Sequence, residues 1–156
     1  MDEQPPRAAG DERATLQSLL QYHRESFLKK LDGLTEERAR WSPVPSGTSL
    51  LWLAKHLTYA ETIWILVRFD GQDPGQLDND LRDDDRLEDL VAQYRRTWER
   101  VDAVVAGAEL DTVCTGCSGD PLPDLRWILA HLLEETARHA GHADILRELI
   151  DGETGR

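Results

Sequence analysis

LRWILAHLLEETARHAGHADILRELIDG, residues Leu125–Gly152, has the pattern of one long helix. Its apolar residues recur at three- and four-residue intervals from end to end, which is the repeat of an α-helix. Asp124 stands before it as an N-cap and Gly152 closes it as a stop. At roughly 100° per residue, Ile128, Leu132, Leu146 and Leu149 share one side. His131, Glu135, His139 and His142 fall on that same side. A helix expected to bury its leucines therefore carries four ionisable side chains on the buried stripe.

Three more helices are expected upstream. The first runs over Asp11–Asp32, with Leu16, Leu20, His23, Phe27 and Leu31 on one face and Gly33 as its stop. A short turn, Thr35–Trp41, leads into Ser42-Pro43-Val44-Pro45-Ser46-Gly47, which cannot continue a helix because its prolines lack an N–H. Thr48 or Ser49 caps the second helix, which reaches Phe69 with Trp52, Leu53, His56, Ala60, Ile63, Trp64 and Val67 on its apolar stripe. The third runs over Arg86–Ala106 and has the cleanest amphipathic pattern. Polar, Gly- and Pro-containing loops, 70–85 and 107–123, separate helices two, three and four. No segment alternates as a strand would. The expected fold is all-α, a four-helix bundle with long connections between helices 2 and 3 and between helices 3 and 4. It occupies 11–152 as one domain, behind a disordered lead over 1–10.

Composition bounds the function. The chain has 156 residues, with 30 acidic against 18 basic side chains and a net charge of −12. A nucleic acid or an anionic membrane surface needs clustered cations, and the sequence has no such cluster, so neither is an expected partner. No apolar run approaches the roughly 20 residues of a membrane span. The N-terminal residues lack the pattern of an export signal, which points to the cytoplasm.

The inward-facing polar residues point to metal chemistry. Glu135 and His139 are four apart, so they project over adjacent turns of one face. Imidazole and carboxylate at that spacing can grip one cation, and His56, mid-stripe on helix two, can supply a third ligand. Three protein ligands with an open position is the arrangement of catalytic zinc sites, and two histidines with one carboxylate also serve non-haem iron. A lone histidine on an apolar face, such as His23, is read as an ordinary core or rim residue.

Two segments, SLLWLAKHLTYAETIW (Ser49–Trp64) and the opening stretch Leu125–Gly152, resemble the DinB/YfiT-like superfamily. The pattern E-T-A-R-H-A-G-H-A-D-I-L-R-E and the segment WSPVPSGTSL (Trp41–Leu50) are similar to its bacterial branch near the mycothiol-dependent maleylpyruvate isomerases. The resemblance spans most of 11–152. It implies a metal-binding four-helix bundle, often a homodimer, with one ligand on helix two and a pair on the last helix. Most of the superfamily has H-x-x-x-H for that pair, and the isomerase branch has E-x-x-x-H, which this chain matches with Glu135 and His139. The ligands so implied are His56, Glu135 and His139, with zinc first and nickel or iron tolerating the same set. His142 stands where many relatives carry a glutamine and is taken as a pocket residue, an alternate metal ligand and a catalytic candidate. His131, one turn before Glu135, is a second catalytic candidate and a hydrogen-bond partner for that carboxylate. Arg138 and Arg147 flank this face, as salt-bridge partners or as anchors for the carboxylate of a thiol cofactor. The activity implied is transfer of, or isomerisation dependent on, a low-molecular-weight thiol such as mycothiol. A metal-dependent hydrolase and a metal-binding stress or sensor protein without turnover are the alternatives.

Cys114 and Cys117 form one isolated C-x-x-C and are read as incidental loop cysteines, with a redox pair or a loop reaching into the pocket as the alternatives. Glu61 is read as a boundary glutamate or a contact to a neighbouring helix. Trp52, Trp64, Trp98 and Trp127 are read as core.

Overall fold

The computed structural model describes residues 4–155. Its elements are α1 (Glu12–Lys29), α2 (Glu36–Arg40), α3 (Leu50–Glu61) with a π-helical continuation over Thr62–Phe69, α4 (Leu87–Ala106) and α5 (Leu125–Asp151). Among the described residues there is no strand, and a single bridge between Val113 and Asp124 ties the last loop to the start of α5. The expected disordered lead falls partly on residues 1–3, outside the described residues, and residues 4–11 contain no helix.

Side-chain caps open α1, α2, α3 and α5, whereas α4 starts without one. Asp11, Thr35, Ser49 and Asp124 each accept a hydrogen bond from the backbone N–H three residues on. Each such cap is worth about 1 kcal/mol. Gly152 ends α5 with φ +78°, a left-handed conformation that a Cβ would oppose. α5 packs along α1 and α3, and α3 and its π continuation pack along α4. Phe27, Leu50, Leu53, Leu57 and Tyr94 meet Ala143 and Leu146 in one half of the core. Leu20, Ile65, Leu66, Val101, Ile128 and Leu132 fill the other half. Burying each large apolar side chain contributes about 1.5–3 kcal/mol.

Several details differ from the sequence reading. The expected turn at 35–41 is a short capped helix, α2. The first helix ends at Lys29 and not at Asp32, because residues 30–32 tighten into i→i+3 turns. The guanidinium of Arg147 holds that end by donating to the carbonyls of Lys30 and Asp32 at 2.9 and 2.8 Å. The second helix is not uniform, since its last two turns widen into π geometry and the Asp70 N–H reaches back to the Ile65 carbonyl. Leu149 is 57% exposed and Trp127 is 49% exposed, so neither belongs to the core. Cys114 and Cys117 are joined in a disulfide, so they are not incidental thiols. Cys114 is buried within the second half of the core. Among the described residues, no helix is long and apolar enough to cross a membrane.

Candidate metal centre

α3 presents His56 from its second turn, and α5 presents Glu135 and His139 from its middle. The packing of α3 on α5 brings them together. His139 Nε2 lies 3.3 Å from Glu135 Oε2, and His56 Nε2 lies 3.7 Å from the same oxygen. One ligand atom from each of the three residues falls within 4.8 Å of the others. Nitrogen and oxygen ligands sit about 2.0–2.2 Å from zinc, which places them roughly 3.0–3.6 Å apart around one ion. The donor set fits a small divalent cation; the His139–Glu135 pair already has that spacing, and the widest separation, within 4.8 Å, closes by a small side-chain adjustment.

The far nitrogen of each imidazole is also engaged. His56 Nδ1 is 3.0 Å from Asn79 Oδ1, an amide oxygen that accepts the Nδ1 proton and leaves Nε2 as a lone pair. His139 Nδ1 is 3.2 Å from His142 Nδ1, one donating and the other accepting. Trp52 stacks on the His56 ring at 4.8 Å and an interplanar angle of 16°, which restricts ring rotation. The two imidazoles meet edge to face at 4.7 Å. Burial pushes the His139 imidazole down, to about 4, with His56 adding to the shift and Glu135 opposing it. At neutral pH this ring is uncharged, the form that ligates a metal.

The other candidates lie as follows. His142 is exposed and touches His139. His131 does not bond Glu135, because its ring is taken up by Trp127, stacked at 5.0 Å, and by Trp64, edge-on at 5.0 Å. Its Nδ1 lies 3.9 Å from the Glu134 carboxylate. Arg138 is exposed, bonds Glu134 at 3.0 Å and reaches within 4.0 Å of Glu135. Arg147 is buried. Its donors go to Lys30, Asp32, Asp151 and Glu153, so it joins α5 to the end of α1.

Two functional features escaped the sequence reading. Asn79 comes from the loop after the π segment, where no periodicity marks it. Arg24, on α1, makes a bidentate pair with Glu61 at 2.9 and 2.6 Å, with both side chains 1% exposed. Asp102 on α4 adds a third partner at 3.0 Å. Burial works against the Arg24 charge, but the Glu61 carboxylate outweighs it and the guanidinium pKa is raised. The reading of Glu61 as a contact to a neighbouring helix is the one the structure shows.

A family model described as mycothiol-S-transferase matches residues 15–152. The chain belongs to the mycothiol-S-transferase family. This bears out the DinB-like resemblance carried by Ser49–Trp64 and Leu125–Gly152. A solved structure titled as the conserved protein of a locus from Enterococcus faecalis superposes with a TM-score of 0.71 at 16% identity. The match covers 88% of this chain and 96% of that one, and at such identity it speaks to the fold alone. No curated protein gives a significant match to the chain.

Proposed function

We propose that the protein transfers a low-molecular-weight thiol of the mycothiol type to a small electrophile, with a divalent cation held by His56, Glu135 and His139. The convergence of these three residues on one point, in a chain of this family, carries the reading. A bound cation lowers the pKa of a thiol so that its anion is available at neutral pH. His56 and His139 hold their lone pairs toward that point because Asn79 and His142 engage their far nitrogens. Trp52 fixes the plane of His56 by stacking on its ring. His142 is the nearest imidazole outside the ligand set, and its Nδ1 takes the thiol proton by giving up the hydrogen bond it accepts from His139. The new sulfur–carbon bond forms as the bond from carbon to the leaving group breaks, and that group departs with the electron pair. Arg138, exposed on the same face of α5, offers its planar fork to a carboxylate of the thiol. The protein works in the cytoplasm, as a homodimer.

The test is thiol consumption with mycothiol and a chlorinated electrophile, using zinc-, nickel- and iron-loaded protein. Metal-dependent consumption that is lost in His56→Ala and His139→Ala is expected. No consumption across a broad electrophile panel, with metal bound, overturns the reading in favour of a metal-binding protein without turnover.

A further inference from the structure

An apolar groove runs beside the metal centre, between the 42–48 loop and the last turns of α5. Pro43 and Val44 form one wall, and His142, Ile145, Leu146 and Leu149 form the other. The loop wall is stiff because prolines restrict it on both sides of Val44. Its turn closes through a hydrogen bond from the Gly47 N–H to the Val44 carbonyl, with Gly47 at φ +78°. On α5, Ile145 and Leu149 follow His142 at three and seven residues, so all three lie on one helical face. Ile145 is 60% exposed and Leu149 57%, although both are large aliphatic side chains.

We propose that this groove binds the apolar body of the electrophile that receives the thiol, and that the electrophile is a neutral alkyl or aryl compound. The proposal rests on the S-transfer reading and specifies its second substrate. Three observations support it. The groove adjoins the centre through one residue, since His142, which lines it, stands 3.2 Å from His139, nitrogen to nitrogen. Its volume is about 280 Å³, near the lower end of ligand pockets at roughly 300–1,000 Å³, which suits a small molecule. Its charge character is also specific. In a chain of net charge −12, no Asp, Glu, Lys or Arg lines this groove. A charged occupant would lose hydration there without an ionic partner in return, whereas a neutral apolar one gains by leaving water. A hydrocarbon body seated against Ile145 and Leu149 places its reactive end toward His142 and the centre beyond it.

The experiment uses N-phenyl-1-naphthylamine, a neutral fluorescent probe, with the metal-loaded full chain, and a parallel assay with mycothiol and 1-bromohexane. Ile145→Gln/Leu149→Gln is the test variant, and because both positions are exposed, it keeps the fold. One probe molecule is expected to bind per chain, with binding weakened tenfold or more in the variant and unchanged in His56→Ala. The KM for 1-bromohexane should rise by a similar factor, while the KM for the thiol and the metal content hold. Probe binding equal in variant and wild type overturns the proposal. So does a wild-type dimer that the variant dissociates, since the groove is then a face between copies. If the wild type consumes no thiol and the variant still loses the probe, the S-transfer reading fails and the groove stands as a neutral-ligand site.

Discussion

His139 Nε2 stands 3.3 Å from Glu135 Oε2, one turn earlier on the same helix. With His139 uncharged, a carboxylate and an imidazole at that distance make a ready half-site for a cation. His56 completes it from α3. Metal analysis of purified protein is expected to find one divalent ion per chain. His56→Ala, Glu135→Gln and His139→Ala should each lower that content to near zero after dialysis. Retention of wild-type content in all three would place the metal elsewhere.

Asn79 accepts from His56 Nδ1 at 3.0 Å, and this bond selects the tautomer with a free Nε2. Removing such a partner typically costs 10–100-fold in metal affinity. Asn79→Ala should weaken the metal by about that factor and leave the thermal stability of metal-free protein near wild type, since the loop it leaves is at the surface. Competition with a chromophoric chelator measures the first effect and calorimetry the second. Equal affinities would show that packing against Trp52 alone orients the ring.

The depressed His139 pKa predicts a pH dependence for metal-free protein. An unfolded histidine titrates near 6.5, and the folded one near 4. Between these values the unfolded chain binds a proton that the folded chain refuses, so stability falls as pH drops through that window. Above the upper value this group contributes no slope. Melting temperature should therefore fall more steeply below pH 6.5 in the wild type than in His139→Gln. Parallel curves for the two proteins would contradict the assignment.

The main elements were legible because α5 and α3 carry unbroken 3.6-residue stripes, and the metal residues because Glu135 and His139 sit four apart on one of them. The limits of burial were less legible. The residues that α5 buries, Leu125, Ile128, Leu129, Leu132, Thr136, Ala140, Ala143 and Leu146 among them, run the length of the helix and set its covered face. Trp127 and Leu149 point away from that face and come out exposed. Periodicity places residues around a helix but does not say how far around the neighbouring helices reach. Asn79 was invisible because a loop residue reaches its site by chain path, which has no period. Arg24 was invisible because a charged residue on an amphipathic helix reads as surface until its partner, Glu61, is known from packing.

That buried pair yields a further prediction. Arg24 and Glu61 are both 1% exposed and hydrogen-bonded through both carboxylate oxygens. Taking two charges out of water costs several kcal/mol per ion, and their attraction returns about as much only while both are present. Either Arg24→Met or Glu61→Leu leaves one buried charge facing an apolar group, at a cost of about 3–5 kcal/mol. Asp102 eases the Arg24 case only partly, because its own side chain is 48% exposed. The double substitution removes both charges and should recover most of the single losses. The midpoint of urea unfolding, at unchanged slope, reads these differences. Metal content should stay at wild type in all three proteins, since Glu61 lies five residues from His56, around the helix from the ligand face. A double variant that loses the sum of the two single losses would show that the two charges act independently.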